Sequence, residues 1–449
     1  MGKIYKIKFN FLIFIFSFIF LISCHNRYYI NNIPSNILPH TSIDMKSPDF
    51  WISRIENPDE IIMPTLDINI FNSKNLYRSN FFNDYNFTDD INNFNYKSII
   101  LANLKRYRNK ELFLENGQSF KDNDFYEIYK NLDLKNNYKV EFGFIVKNTF
   151  LKKLPYKEKV FTTKNNIFFD DFIVSSININ TPIVIFYYSN DNSWAYVASE
   201  EISGFVETKD FAITSYDKIL NFLKNEKFVI SSFPRSEIFD KNKKYFTFTK
   251  MGSRFECLEE LDDGYKILFP FRADDGTLIE NEFFVKKEKF NFGYLPYTKR
   301  NIINTFFKFL DSPYGWGGMD GNEDCSGMIF DTFKLFGINL PRNSFYIAKS
   351  IDNGLVLDKN LSEFEKEEKI KNFADPGCSL LYFPGHIMLY LGEIDNHFYV
   401  FHSIWRYVEN KESKIINKVV LSDLSLGEKN NSLLKKLSII SNLNLKSRE

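Results

Sequence analysis

The alternation of hydrophobic and polar residues divides the chain into a helical stretch, a β-rich stretch and a mixed stretch. Between residues 45 and 135, segments such as WISRIENPDEII and DFYEIYKNL predict short helices. Between 136 and 292, short alternating runs such as YKVEFGFIV, WAYVAS and GYKILFPFR are separated by Asn, Asp, Pro and Gly, which is typical of small β-barrels. From 293 onward, helices precede strands that carry histidines, and SLLKKLSII near the C-terminus predicts a closing helix. The whole pattern predicts an α+β protein.

The N-terminus has the charge and hydropathy pattern of an export signal. Lys3, Lys6 and Lys8 precede the apolar run FNFLIFIFSFIFLIS, which is short for a membrane span. The run ends at Cys24 in the sequence LISC, which resembles the lipobox of bacterial lipoproteins. Residues 1–24 are therefore predicted to be a lipoprotein signal peptide. Lipidation of Cys24 would anchor the exported chain to a membrane of the cell envelope or periplasm. An uncleaved anchor and an ordinary signal peptide with a chance cysteine are the alternatives.

Composition narrows the classes of function. The chain is 44% hydrophobic and 25% charged, which is typical of a globular protein with material for several cores. Lys plus Arg and Asp plus Glu number 57 each, so no net charge attracts the protein to nucleic acid. The four cysteines have no paired spacing, so no disulfide framework is predicted. Cys257 and Cys378 are expected to be core residues.

A glycine-rich loop delivers Cys325 to the start of a predicted helix. The loop reads YGWGGMDGNEDCSGM, and the following MIFDTFKLFG carries one stripe of apolar residues three or four positions apart. Asp324 is a suitable N-cap and Gly337 a suitable C-terminal stop. A thiol at a helix N-terminus is expected to have a lowered pKa and to react as the thiolate. The alternative is a small buried cysteine in a core helix.

Two of the five histidines lie on predicted strands after the cysteine. His386 opens HIMLYLGEI and His402 lies in HFYVFHSIW, so the two strands are expected to be neighbours in an antiparallel sheet. A thiol nucleophile needs an imidazole base, and that base needs a polar group to fix its tautomer. Cys325 as nucleophile, His386 as base and His402 as orienting residue fill these roles. His397 is expected to be a solvated turn residue, and the two N-terminal histidines are set aside. The spacings C-x-x-C and H-x-x-x-H are missing, which argues against zinc.

The motifs of this region together resemble the NlpC-type papain-like cell-wall peptidases. They are Tyr-x-Trp-Gly-Gly, Asp-Cys-Ser-Gly, Leu-Pro-Arg-Asn-Ser, Gly-His-Ile-Met-Leu-Tyr-Leu-Gly and a later Phe-His-Ser, and they span residues 314–402. The resemblance implies a papain-like catalytic domain over 293–449 with Cys325, His386 and His402 as its triad. It also implies the following substrate-site roles: Tyr314 beside the oxyanion, Trp316 as a wall of the groove, Asp324 and Ser326 at the substrate's amino end, and Arg342 and Ser344 as support.

The segments before this domain resemble bacterial SH3-like domains. The sequences KKLPY, DNSWAYV and GFV carry the resemblance for the first barrel, predicted over 136–212. Trp194 and Tyr196 within it are expected to be core, with stacking on a ligand as the alternative. Residues 213–292 are predicted to form a second SH3-like barrel, although no sharp motif marks it. Residues 25–135 are predicted to be a tether and a helical N-terminal domain.

The resemblance implies a cysteine endopeptidase that hydrolyses the γ-D-glutamyl–diamino acid bond of peptidoglycan stem peptides without a metal or organic cofactor. The order of domains and Asp324 favour short peptides with a free N-terminal L-Ala. Glu323, where the family often has glycine, and a longer charged segment between 350 and 375 depart from the family pattern. The alternatives are a cell-wall peptide-binding lipoprotein with an inactive catalytic domain and a papain-like amidase or acyltransferase.

Overall fold

The computed structural model describes residues 38–75, 82, 94–132, 134, 139–164, 166–351, 353–427 and 431–444. The predicted signal peptide and Cys24 lie outside these residues. Within these residues, four α-helices come before the first large sheet: α1 (Pro48–Ile52), α2 (Thr65–Asn75), α3 (Tyr96–Arg108) and α4 (Asp122–Lys130). No helix within the described ranges is both long and apolar enough to cross a bilayer.

The N-terminal helices divide between two hydrophobic cores. Trp51 of α1 and Phe71 of α2 pack into the core of the last domain. Tyr107 of α3 and Ile128 of α4 pack instead into the core of the first large sheet. The Tyr107 hydroxyl also donates a hydrogen bond of 2.8 Å to the carbonyl of Asp171. In the described part of the predicted N-terminal region, the helices therefore buttress two different domains: α1 and α2 pack on one, and α3 and α4 pack on the other.

The first large sheet has seven antiparallel strands in the order β5-β3-β8-β7-β6-β2-β9. A separate two-stranded sheet pairs β1 (Phe113–Leu114) with β4 (Val160–Phe161). The large sheet consists of β2 (Glu141–Ile145), β3 (Thr149–Lys152), β5 (Ile173–Ile177), β6 (Pro182–Tyr188), β7 (Trp194–Ala198), β8 (Ser203–Glu207) and β9 (Phe211–Thr214). Trp194 and Tyr196 of β7 are 8% and 1% exposed and belong to the core shared with α3 and α4, as expected of core residues.

The second large sheet also has seven strands, in the order β12-β11-β15-β14-β13-β10-β16. Helix α5 (Tyr216–Lys224) leads into it. Its strands are β10 (Phe228–Ser231), β11 (Ser236–Phe239), β12 (Tyr245–Thr249), β13 (Arg254–Glu260), β14 (Gly264–Arg272), β15 (Leu278–Lys286) and β16 (Phe290–Phe292). Phe255, Ile267 and Val285 lie at the centre of its core, and Cys257 is buried beside them, as the sequence predicts.

The last domain packs helices on both sides of a six-stranded sheet in the order β17-β22-β18-β19-β20-β21. Its helices are α6 (Lys299–Phe307), α7 (Cys325–Lys334), α8 (Ser344–Lys349), α9 (Glu363–Phe373) and α10 (Leu433–Lys436). Its strands are β17 (Gly354–Val356), β18 (Ser379–Phe383), β19 (His386–Ile394), β20 (His397–Glu409), β21 (Glu412–Asp423) and β22 (Ile439–Asn442). One core joins the sheet to α1, α6 and α7, and the other joins it to α9 and α10. With the two preceding sheets, this architecture is α+β, as predicted.

The C-terminal segment differs from the sequence prediction. The run predicted as a closing helix forms only the four helical residues of α10 and then continues as strand β22, between β17 and β18. Ile439 packs into one core of the domain and Ile440 into the other. The strand is thus buried on both faces. Periodicity alone does not distinguish a short apolar run of this kind from a buried helix.

Candidate active site

Cys325 is the first residue of α7, and only 6% of its surface is exposed. The helix begins here because Asp324 caps it, with Oδ1 accepting the N–H of Gly327 at 2.7 Å. The preceding loop turns through Gly318, whose φ of 90° favours glycine. A Cβ at Gly318 would overlap the hydroxyl of Ser176, so the loop packs closely on the first large sheet. The cap and the loop together fix the thiol at a helix N-terminus.

His386 and His402 lie on neighbouring strands and are joined by a hydrogen bond. Nε2 of His386 is 2.8 Å from Nδ1 of His402, and Nε2 of His402 is 3.0 Å from Oγ of Ser422. The three residues lie on β19, β20 and β21, which are adjacent in the sheet. This chain of contacts occupies Nε2 of His386 and does not involve Nδ1, the other ring nitrogen. The structure thus brings the predicted base and orienting residue together and adds Ser422, which no sequence motif signals.

The thiol of Cys325 lies against the start of β19. The backbone N–H groups of Ile387 and Ser326 both form hydrogen bonds toward its sulfur. Because Ile387 directly follows His386, the predicted nucleophile and the predicted base meet at the same end of the sheet. A helix N-terminus and a strand edge therefore surround the sulfur with N–H groups, which is the environment that stabilises a developing negative charge.

Burial sets the protonation states of these side chains. Burial raises the pKa of the Cys325 thiol to about 12, and the neighbouring Asp324 carboxylate adds to the shift. Burial also lowers the pKa of His386 to about 4 and holds the pKa of His402 well below its usual value. The prediction that the helix N-terminus lowers the thiol's pKa is therefore wrong, since desolvation outweighs the opposing hydrogen bonds from the backbone N–H groups of Ile387 and Ser326. The resting site holds a neutral thiol and two neutral imidazoles.

Arg342 ties the cap of α7 to the first large sheet. Its Nη2 donates to Oδ2 of Asp324 at 2.8 Å, its Nη1 to Oγ of Ser326 at 2.7 Å, and its Nε to Oγ of Ser175 at 2.7 Å. Burial by itself raises the pKa of Asp324, but the Arg342 guanidinium and the capping hydrogen bonds hold that pKa below its usual value. Asp324 is therefore ionised. Arg342 lies where a supporting residue is predicted, and Asp324 and Ser326 are both engaged by the protein itself.

Tyr314 and Trp316 belong to an aromatic cluster that crosses between domains. Phe169 of the first barrel has its ring centroid 5.4 Å from that of Trp316 and 5.1 Å from that of Trp405. The rings of Tyr314 and Trp405 are 6.0 Å apart, and the Trp316 indole donates to the carbonyl of Asp170 at 3.1 Å. The aromatic cluster around Trp316, the residue predicted to wall the groove, is therefore built by two domains. Phe169 and Trp405 were missed because neither lies in a recognisable motif.

The hydroxyl of Tyr314 is protonated and close to the nucleophile. Burial, followed by the nearby Asp324 and Cys325, raises the pKa of Tyr314 well above its usual value. A protonated phenol can donate a hydrogen bond to an oxyanion, which is the role predicted for Tyr314. Ser344 is partly buried at the first position of α8, and Asn343 caps that helix.

Glu323 has a partner in the second large sheet. Lys250, which follows β12, is ion-paired with it, lies 3.8 Å from Asp331 and donates to Oγ of Ser176 at 2.8 Å. Burial raises the pKa of Glu323 to about 8, and Lys250 opposes that shift. The residue that departs from the family's frequent glycine thus forms a contact between domains. Nothing in the local sequence around Lys250 indicates this pairing.

Residues 311–422 match the model of the NlpC/P60 family. The chain contains an NlpC/P60 domain. The matched segment includes Cys325, Arg342, His386 and His402 and ends at Ser422, the last member of the hydrogen-bonded chain. Residues 158–207 match the model of an SH3 domain of the SH3b1 type. The predicted SH3-like character of this segment is therefore confirmed.

Three curated relatives align with parts of the chain. The gamma-D-glutamyl-L-lysine dipeptidyl-peptidase of Bacillus cereus is 28% identical over 148 residues, which cover 31% of this chain and 39% of the relative. Dipeptidyl-peptidase 6 of Lysinibacillus sphaericus is 27% identical over 96 residues, which cover 21% of this chain and 30% of the relative. The gamma-D-glutamyl-L-lysine dipeptidyl-peptidase of Bacillus subtilis is 42% identical over 62 residues, which cover 14% of this chain and 21% of the relative. The chain thus matches at most 39% of the length of these relatives.

A solved NlpC/P60 endopeptidase from Photobacterium damselae subsp. piscicida has a similar fold over nearly the whole chain. Its TM-score is 0.72, and the alignment covers 88% of this chain and 96% of that one at 20% sequence identity. At this identity the similarity establishes the fold. The NlpC/P60 domain and the parts that precede it therefore follow an architecture that exists in another protein.

Proposed function

We propose that this protein is a cysteine peptidase that hydrolyses the γ-D-glutamyl–diamino acid bond of peptidoglycan stem peptides. The observation that carries the proposal is the chain of hydrogen bonds from His386 through His402 to Ser422, which begins beside the thiol of Cys325. The presence of an NlpC/P60 domain supports peptide hydrolysis. The names of the relatives from Bacillus cereus and Bacillus subtilis support the choice of bond.

In the proposed reaction, the sulfur of Cys325 attacks the γ-carbonyl carbon of D-glutamate while His386 accepts the thiol proton. Because both groups are neutral at rest, the proton moves during the attack rather than before it. The backbone N–H of Cys325 and the hydroxyl of Tyr314 stabilise the oxyanion. His386 then protonates the leaving amine of the diamino acid, and water hydrolyses the thioester to release the carboxylic acid and the thiol. These reaction steps need no metal or organic cofactor.

We propose in addition a preference for peptides that begin with a free L-Ala. The first barrel meets the groove wall through Phe169 and through the hydrogen bond from Trp316 to Asp170, which supports a closed amino-end side. Asp324 is an ionised carboxylate directly before the nucleophile, so its negative charge can attract the positively charged ammonium group of a free amino end. An acylated or glycan-linked amino end lacks that charge.

We also propose that the chain is exported and anchored to a membrane through a lipid on Cys24. The lysines and the apolar run before Cys24 support this proposal. Incorporation of labelled fatty acid into the full chain, and its loss in Cys24→Ala, would be the expected result. Full incorporation in Cys24→Ala would contradict anchoring at this residue. Peptidoglycan stem peptides and the membrane are then the partners of the protein, with no role for nucleic acid.

The test of the peptidase uses the chain from residue 25 onward, which keeps every residue that the structure describes. The substrates are L-Ala-γ-D-Glu-L-Lys, its diaminopimelate analogue, and both peptides with an acetylated amino end, with products followed by mass spectrometry. Cys325→Ala is the test variant, and Cys257→Ala, which removes a buried thiol from the second sheet, is the matched control.

Each outcome separates the possible functions. Cleavage of the free peptides by the parent and by Cys257→Ala, but not by Cys325→Ala, is expected and supports the thiol mechanism. Equal cleavage of acetylated peptides would remove the amino-end preference and keep the peptidase. Binding without cleavage would indicate a peptide-binding lipoprotein with an inactive domain. Transfer of the acyl group to an added amine in place of water would indicate a papain-like acyltransferase.

A further inference from the structure

We propose that His40, His397 and Asp423 form a zinc site that fastens the N-terminal segment to the NlpC/P60 domain. One ligand atom from each residue lies within 4.8 Å of the other two. Two imidazoles and one carboxylate, with water in the fourth position, are a donor set that Zn²⁺ accepts in tetrahedral geometry. Bonds of about 2 Å place tetrahedral ligands about 3.3 Å apart, so small side-chain rotations complete the site.

The backbone holds His40 in one place. Its φ of 61° lies in the left-handed region, which is strained for a non-glycine residue and persists only where the surroundings enforce it. The carbonyl of His40 accepts a hydrogen bond of 2.6 Å from the hydroxyl of Tyr399, a residue 359 positions away. Leu38 packs into a core of the last domain, and the Thr41 hydroxyl closes the turn on the Leu38 carbonyl at 2.7 Å. The fold therefore presents this exposed imidazole at a fixed position.

His397 and Asp423 lie at one end of the β20–β21 hairpin. His397 opens β20, and Asp423 ends β21 directly opposite Tyr399. Nδ1 of His397 contacts Oδ2 of Asp423, while Oδ1 of Asp423 accepts the N–H of Ser425, which orients the carboxylate as metal ligands require. The Asp423 side chain is 4% exposed and that of His397 is 35% exposed, so the site is anchored inside and open to solvent at its outer side.

The rings of His40 and His397 are stacked with their centroids 4.0 Å apart and an interplanar angle of 23°. Because the two imidazoles lie this near to each other and to a buried carboxylate, their lone pairs and its negative charge surround one point. A divalent cation satisfies all three groups at once. The arrangement therefore favours a cation shared among the three side chains.

This cluster is separate from the predicted triad. Successive residues of a strand point to opposite faces of a sheet, so Asp423 faces away from Ser422, which contacts His402. The spacing rules that argue against zinc in the sequence do not detect it, because the fold alone brings the N-terminal histidine to the hairpin. Zinc at this place would tie together two segments from opposite ends of the chain.

The test uses the chain from residue 25 onward with Cys325→Ser, so that the active-site thiol cannot bind metal. After treatment with EDTA, zinc is titrated by calorimetry, and cobalt is substituted to observe its absorption spectrum. We expect one zinc per chain and tetrahedral cobalt bands without a thiolate charge-transfer band. His40→Ala and His397→Gln are expected to weaken zinc binding by about 10- to 100-fold or more. Zinc is also expected to raise Tm in the parent but not in His40→Ala.

Two controls make the result decisive. Asp395→Asn removes a neighbouring carboxylate from the β19–β20 turn and is expected to bind zinc like the parent, since Asn also adopts the positive φ of 51° at that position. His402→Gln removes an imidazole from the predicted triad and is also expected to leave binding unchanged. Equal zinc affinity in His40→Ala and the parent would overturn the proposal, as would loss of binding in His402→Gln. Neither result bears on the peptidase, because no activity is measured.

Discussion

Lys250 of the second large sheet is ion-paired with Glu323, two residues before the candidate nucleophile. Both side chains are only 4% exposed. A buried ion pair contributes little net stability because desolvation offsets attraction, yet removal of one partner destabilises the fold by leaving the other group buried and unpaired. This pair therefore specifies how the second sheet docks on the loop that carries Cys325.

Lys250→Met is expected to lower the free energy of unfolding by about 1–3 kcal/mol, because Glu323 loses its partner and is left as a buried, unsatisfied carboxyl group. Addition of Glu323→Gln is expected to restore part of the loss. Urea denaturation measures both effects. Lys266→Met is the matched control, because it breaks an exposed ion pair with Glu259 on the same sheet and should cost less than about 1 kcal/mol. Equal losses in the two lysine variants would contradict the proposed docking role.

Ser422→Ala is expected to lower kcat about tenfold, or 1.4 kcal/mol, with little change in KM, because His402 loses the hydrogen bond that orients it. Steady-state kinetics on the free tripeptide measure this effect, and Ser422→Thr should recover most of the rate. Ser413→Ala, at the far end of β21, is the control and should behave like the parent. A change confined to stability, with kcat intact, would show that Ser422 has no positioning role.

The pKa directions predict the pH profile of the reaction. His386 acts as a base only when neutral, and since burial lowers its pKa to about 4, the acid limb of kcat/KM should lie near pH 4. Burial raises the pKa of Cys325 to about 12, so thiolate remains scarce and alkylation by iodoacetamide should accelerate steadily from pH 6 to pH 9. A plateau of alkylation across neutral pH would indicate instead a resting thiolate–imidazolium pair.

The same lowered pKa predicts acid destabilisation. In the unfolded chain the His386 pKa is about 6.5, whereas the folded protein binds that proton only near pH 4. The unfolded state therefore binds more protons between these values, and the free energy of unfolding falls as the pH drops from about 6.5 to about 4. Urea denaturation at pH 7 and pH 5 should show this loss in the parent and a smaller one in His386→Gln. Identical losses of unfolding free energy in the parent and in His386→Gln would contradict the lowered pKa of His386.

Phe169→Ala is expected to raise KM for the tripeptide about tenfold with kcat nearly unchanged, because it removes ring contacts to Trp316 and Trp405 that shape the groove wall. Ile167→Ala, an exposed apolar residue two positions earlier, is the control and should leave KM unchanged. If both variants raise KM equally, general loosening of this loop is the better explanation.

The sequence alone was sufficient to predict the features whose residues lie within one motif or one secondary-structure element. The cap at Asp324, the helix that begins at Cys325, and the pairing of the strands that carry His386 and His402 all follow from local spacing. Local rules act over a few residues, so these features could be predicted. The structure shows them as expected.

The features of the site that the sequence did not predict depend on contacts between segments that are distant along the chain. Lys250, Phe169 and Ser175 reach the site from the two preceding sheets, and no periodic pattern marks them. The sign of the thiol's pKa shift was also wrong, because a sequence shows the helix N-terminus but not how deeply the sulfur of Cys325 is buried. Strand β22 was missed for a similar reason, since only the fold reveals that it is covered on both faces.

The contacts around residues 323–327 have a consequence for biogenesis. Ser175 and Lys250 come from two different sheets, and Arg342 binds Ser175 across 167 positions of chain. These long-range contacts form only after both sheets have folded and docked. Until then, Glu323 and Asp324 lack partners that they have in the finished protein, and the loop before Cys325 lacks its support. We therefore expect the proposed active site to be completed only as a late step of folding.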